Sequence, residues 1–115
     1  MADCDLLVIG AGPGGGSAAL HAARAGLSTV IVEADSDVGV PVHCGECLSQ
    51  IAVDNLDLEL PDEVIALDCK GIRVIFPDGT SRLLTEKGYV LEKHKFEQWL
   101  CTEAVKLGAQ LKLSH

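Results

Sequence analysis

Two groups of residues in this sequence have the types and spacing that could do chemistry. The first is Gly10-Ala11-Gly12-Pro13-Gly14-Gly15, which spells Gly-x-Gly-x-x-Gly, followed by Glu33 at the end of Ile31-Val32-Glu33. In that pattern each glycine has its own task. Gly10 permits a sharp turn out of a strand, Gly12 lets backbone approach a pyrophosphate with no Cβ in the way, and Gly15 lets a helix lie close against the sheet. Pro13 and Gly14 then fall at the helix start, where N–H groups and the positive end of the dipole favour phosphate. Glu33 arrives about 20 residues on, the distance at which an acid accepts hydrogen bonds from an adenosine ribose. The second group is Cys44-Gly45-Glu46-Cys47 with His43 beside it. Such a pair of thiols suits a redox dithiol or half of a zinc site. A zinc site needs two more ligands, and the sequence has neither a second CxxC nor a spaced pair of histidines.

A glycine triplet carries meaning only in context, and the flanking elements supply it. Asp5-Leu6-Leu7-Val8-Ile9 is an apolar run that reads as a buried strand. Helix formers follow the turn (Ala18, Ala19, Leu20, Ala22, Ala23), and Gly26 is a natural stop. The result is strand, turn, helix, then a second strand tipped by an acid. Residues 35–47 hold glycine and proline without a steady period and read as a loop. It leaves the C-terminal edge of a parallel sheet, where open α/β folds bind their ligands. Ser49 to Leu56 suggests a short helix. Leu67 to Phe76 reads as one strand, Pro77-Asp78-Gly79-Thr80 as a turn, and 81–85 as the returning strand, so a β-hairpin is inserted into the α/β pattern. Tyr89-Val90-Leu91 is a further strand. From Lys95 to Leu107 the spacing predicts a helix with Phe96, Leu100, Ala104 and Leu107 on its apolar face and Trp99 beside them. Gly108 ends it, and residues 109–113 form a last strand. Cys69 and Cys101 fall inside these patterns and read as core, His21 as a surface residue of the first helix.

Bulk properties narrow the function classes. The chain has 115 residues, 48% of them hydrophobic, with 17 acidic against 9 basic residues and a net charge of −8. The acidity excludes a nucleic-acid partner, because neutralising phosphates needs clustered Lys and Arg. No apolar run approaches the roughly 20 residues that cross a bilayer. Asp3 and Asp5 stand where a signal peptide would be basic, so the chain reads as cytoplasmic. Five cysteines, an odd number spread through strands and helices, point to reduced thiols. Three parallel strands do not cover both faces of a sheet, so the expectation is an N-terminal part of a larger protein.

Three stretches together resemble the geranylgeranyl reductase family of flavoproteins, in the wider group with a p-hydroxybenzoate hydroxylase-type fold. They are Val8-Ile9-Gly10-Ala11-Gly12-Pro13-Gly14-Gly15, Pro41-Val42-His43-Cys44-Gly45-Glu46-Cys47-Leu48-Ser49, and Gly88-Tyr89-Val90-Leu91-Glu92-Lys93-His94-Lys95-Phe96. The first is generic to FAD and NAD proteins. The second is specific to archaeal-type reductases of digeranylgeranylglycerophospholipids, and the third matches a Tyr-Val-x-x-Arg-x-x-Phe segment. The resemblance spans nearly the whole chain and roughly the first third of a family member. It implies a Rossmann-like, three-layer α/β fold with residues 1–115 as the FAD-binding part and the substrate domain absent.

The resemblance also implies FAD on the glycine turn, with Gly14 by the phosphates and Glu33 on the ribose. Cys44, Gly45 and Cys47 would line the flavin and Lys93 would reach the cofactor. Two positions depart from the pattern. The family has glycine where this chain has Cys47, and arginine where Lys93 keeps the charge without the planar fork. The implied activity is flavin-dependent reduction of isoprenoid double bonds in membrane lipids, with peripheral membrane contact in the full-length protein. No catalytic residue and no electron donor is named by these residues. An aromatic hydroxylase-like flavin monooxygenase shares the turn and the acid but lacks the Cys-Gly-Glu loop. A nucleotide-binding fragment without activity is the rival that would purify without flavin colour.

Overall fold

The computed structural model describes residues 3–115; the first two residues of the range 1–115 lie outside the described residues. In chain order the elements are β1 (Leu6–Ile9), α1 (Pro13–Arg24), β2 (Thr29–Val32), β3 (Cys47–Ser49), α2 (Gln50–Asn55), a 3-10 turn (Asp62–Val64), β4 (Ile65–Cys69), β5 (Ile72–Ile75), β6 (Ser81–Leu84), β7 (Gly88–Leu91), α3 (Lys93–Lys106) and β8 (Gln110–Lys112). The chain divides into two compact units, Met1–His43 with Lys93–His115, and Cys44–Glu92.

In the first unit β1, β2 and β8 form a parallel sheet in that order. Strand register sets which side chains share a face. Val8 stands opposite Ile31, and Ile31 opposite Leu111, so these three point the same way. Val8 and Ile31 are buried on that face, where α1 lies with Ala19, Leu20, Ala22 and Ala23 turned inward. α3 packs beside α1 through Leu100, Cys101 and Ala104, all buried. The contact is close because Gly16 has no side chain; a Cβ there would lie 3.0 Å from Leu100 Cβ. On the opposite face Leu7 is 53% and Ile9 83% exposed, although β1 reads as a buried strand from sequence. The unit supplies the sheet and one helical layer of an α/β fold of the Rossmann kind.

Both helices of this unit end alike. After α1, Gly26 takes φ +83° and Leu27 N–H donates to Ala22 O at 3.0 Å. After α3, Gly108 takes φ +106° and Ala109 N–H donates to Ala104 O at 3.0 Å. A left-handed residue past the last turn lets the chain fold back onto carbonyls that the helix leaves unsatisfied. The stop comes one residue earlier than the spacing predicts. Leu107 therefore leaves the apolar face and stands 51% exposed, and Cys101 takes a place in that stripe.

The second unit holds an antiparallel sheet, β3-β7-β4, and a separate two-stranded hairpin, β5-β6. Two sequence-based expectations change here. Cys47 to Ser49, read as the end of a loop and the start of a helix, form β3 and pair with Gly88–Val90. Ser49 then caps α2, its Oγ accepting from Ala52 N–H at 3.2 Å. Leu67 to Phe76 is two strands, not one: β4 pairs with β7 and β5 with β6. The break falls at Lys70-Gly71, where a Cβ on Gly71 would sit 2.5 Å from Leu84 O. Alternation specifies a strand but not its partner, so the switch between sheets leaves no mark in the pattern. The hairpin turn is as predicted. Asp78 accepts from Thr80 Oγ1 (2.6 Å) and Thr80 N–H (2.9 Å), and these bonds hold its carboxyl below the ordinary value of 3.8.

Candidate cofactor-binding site

The first unit assembles the glycine turn and its acid. Gly10 follows β1 with φ +100°, a conformation that favours glycine, and its N–H donates to Val32 O at 2.8 Å. That bond ties the turn to the end of β2. Gly12 is the N-cap of α1, in extended conformation, and Gly16 N–H returns to Gly12 O at 2.7 Å. Gly15 shows the tightest packing: a Cβ would lie 1.9 Å from Gly10 O and 3.1 Å from Val8 Cγ1. Only glycine allows the first turn of α1 to close on the strand it has just left. Gly12 and Gly14 differ, since a Cβ on either would meet nothing within 4 Å. Their missing side chains leave open space on the outer side of the turn.

Electrostatics at this helix start favour an anion. Pro13 stands at N1, where its missing N–H costs nothing. No side chain caps the helix and no acid lies in its first turn. The early N–H groups and the positive dipole end therefore face the open side of the glycine turn. The carboxylate of Glu33 reaches back from the end of β2, with Ala11 N–H donating to its Oε1 at 3.4 Å. The acid and the turn thus flank one small region, an open backbone cradle with an acceptor beside it. That arrangement fits the pyrophosphate and ribose of a dinucleotide.

Behind Glu33 lies α3. Lys93, in its first turn, forms an ion pair with Glu97 one turn on. Glu97 is 4% exposed, and sequence reading passed over it; the signal available was the Lys-x-x-x-Glu spacing itself. Cys101 lies a further turn along and is buried. Burial first, then the negative charges of Glu33 and Glu97, push its thiol up from 9.0 to about 11. Cys101 is therefore an inert thiol at neutral pH.

The remaining predicted residues belong to the second unit. Cys44 and Gly45 sit in the loop before β3, and Cys47 is the first residue of that strand. Both thiols are free and exposed. Each turns back on its own loop: Glu46 N–H donates to Cys44 Sγ at 3.4 Å, and Cys47 Sγ donates to Gly45 O at 3.5 Å. Glu46 holds φ +66°, unusual for a residue with a side chain. Among the described residues, no group of three or more His, Cys, Asp or Glu side chains could hold a metal ion. The predicted set is thus divided by unit: Gly10, Gly12, Pro13, Gly14, Gly15, Glu33 and Lys93 in the first, Cys44, Gly45 and Cys47 in the second.

Comparison with known proteins extends this geometry. The family model of FAD-dependent oxidoreductases matches residues 5–39, from β1 through the loop after β2. The digeranylgeranylglycerophospholipid reductase of Thermoplasma acidophilum is 38% identical over 96% of this chain and 30% of its own length. Digeranylgeranylglycerophospholipid reductase 2 of Methanopyrus kandleri is 38% identical over 95% of this chain and 28% of its own. Among solved structures, a geranylgeranyl bacteriochlorophyll reductase-like protein from Thermoplasma acidophilum superposes with TM-score 0.90 at 38% identity, covering 96% of this chain and 30% of that one. A flavin-dependent brominase superposes with TM-score 0.74 at 23% identity, a likeness of fold alone. The chain spans about 30% of the length of the curated relatives it matches. Its fold is that of the FAD-dependent oxidoreductases, and its similarity runs to the geranylgeranyl reductases.

Proposed function

We propose that this chain is the FAD-binding part of a flavin-dependent reductase that saturates isoprenoid double bonds of membrane lipids. The observation that carries the reading is the turn itself. Gly12 and Gly14 open outward at the start of an uncapped helix, with Glu33 reaching back to Ala11 N–H. The similarity to digeranylgeranylglycerophospholipid reductases over almost the whole chain supplies the substrate class.

Reduced FAD supplies a hydride to an alkene when bound, and the protein's share is to bind, orient and exclude. The Gly12–Gly14 backbone would hold the pyrophosphate through N–H groups that need no side chain. Glu33 would accept from the ribose hydroxyls of the adenosine half. Lys93 would place a positive charge against the cofactor, and Cys44, Gly45 and Cys47 would line the flavin ring. Peripheral contact with the membrane belongs to the same proposal, since a digeranylgeranyl lipid resides there. Among the described residues, no helix is long and apolar enough to cross a membrane.

The test is reconstitution. Purified chain incubated with FAD and passed over a desalting column should elute with the flavin absorbance bands. A colourless protein that also fails to quench or enhance flavin fluorescence in titration would overturn the assignment.

A further inference from the structure

Glu97 is an acid at 4% exposure to which nothing above assigns a task. A carboxylate removed from water persists only where a partner compensates it. Here the two oxygens have separate neighbours. Oε1 receives the ammonium of Lys93. Oε2 lies against the loop that leaves β2, so close that a Cβ on Gly39 would stand 2.6 Å from it. That same Cβ would lie 2.8 Å from His94 Cα, and Gly39 holds φ +79°. One residue earlier Val38 is buried, and its carbonyl accepts from Gln98 Nε2 at 3.0 Å. The segment following Glu33 is therefore seated on the first turn of α3, and Glu97 lies at the centre of that seat.

We propose that Glu97 is a positioning residue that acts on the cofactor through Lys93, holding the ammonium in place while the loop at Gly39 seats the acid. The inference rests on the reading above, in which Lys93 reaches FAD. Lysine carries a compact charge on a flexible stem and three N–H donors. Glu97 engages one donor and leaves two for a ligand. Exposure supports the order: the Lys93 side chain is 19% exposed and that of Glu97 6%, with the acid beneath and the cation above it. An arginine at position 93 would bring its own planar fork, whereas a lysine gains its direction from the anion that holds it.

A double-mutant cycle on FAD affinity tests this, with Lys93→Met, Glu97→Gln and the double variant titrated against FAD fluorescence and the apo melts recorded alongside. Each single change is expected to weaken FAD binding by about tenfold, the lower end for a hydrogen bond to a charged group. In the double variant the Glu97→Gln change should add nothing further, because its effect passes through Lys93. Full additivity would show that Glu97 acts independently of Lys93 and would overturn the proposal. So would Glu97→Gln binding FAD as the parent does. A Lys93→Met chain with parental affinity would instead remove Lys93 from the cofactor and sink the reading on which the proposal rests. If Glu97→Gln fails to fold, Glu97→Asp takes its place in the cycle; it keeps the charge but withdraws it by one methylene, and the same coupling is expected.

Discussion

Glu33 and Gly15 answer different questions with one atom group each. Removing the Glu33 carboxylate as Glu33→Ala should weaken FAD binding by about 1.5–3 kcal/mol, the range for a hydrogen bond to a charged group, read by flavin titration. Gly15→Ala instead forces a Cβ to within 1.9 Å of Gly10 O, so backbone must move. Overpacking of that sort costs about 1–3 kcal/mol, and the apo melt of Gly15→Ala should fall by several degrees. Cys101 gives a third readout. With its thiol raised to about 11 in the folded chain against 9.0 ordinarily, the unfolded chain ionises first. Stability from this group is thus complete below pH 9 and is lost as pH rises through about 11. Because Glu33 contributes to that rise, Glu33→Gln should lower the Cys101 value, and thiol-labelling rates against pH would show it. Cys44 and Cys47, both exposed, should label first.

At the level of elements, local signals were legible and partnerships were not. The glycine turn, α1 and β2 could be read residue by residue, because each glycine answers a steric demand of the turn it occupies. Glu33 could be placed by its distance from Gly10. The second sheet could not be foreseen: nothing in Ile65–Cys69 says that it pairs with β7 while Ile72–Ile75 pairs with β6. Glu97 escaped because an acid on a helix reads as solvent-facing until a neighbouring loop covers it. The departure at Leu107 has the same origin, since a stop one residue sooner rotates a side chain off its face. The β5-β6 hairpin is exposed at every residue of both strands. Its amides should exchange with deuterium well before those of β2, whose Thr29 and Ile31 are buried. Equal protection in the two would contradict that ordering.

The molecule as a whole leaves much apolar surface in water: Leu7 and Ile9 on β1, Ile72, Ile75, Phe76 and Leu83 on the hairpin. Exposed apolar side chains of this number favour self-association, so the chain should bind a hydrophobic dye while folded and scatter light as concentration rises. It also spans only about 30% of its curated relatives. We therefore expect the reconstituted chain to hold FAD yet yield no hydrogenated product from a geranylgeranyl lipid when the flavin is reduced chemically; product by mass spectrometry would refute this. The first unit is interrupted in sequence, since Cys44–Glu92 lies between its two pieces. On a ribosome β1, α1 and β2 emerge long before Leu100 arrives to meet Gly16, and the early piece must wait with its helix face bare. What shortens the wait is that the second unit begins and ends at one place, Leu91 N–H donating to Glu46 O at 2.7 Å. Once that unit has folded, the intervening chain closes to a short bridge, and most of the loop entropy of bringing α3 home has already been lost. Vectorial synthesis and an inserted unit would then act in sequence, the insertion completing first and delivering the last helix and strand to a half-built sheet.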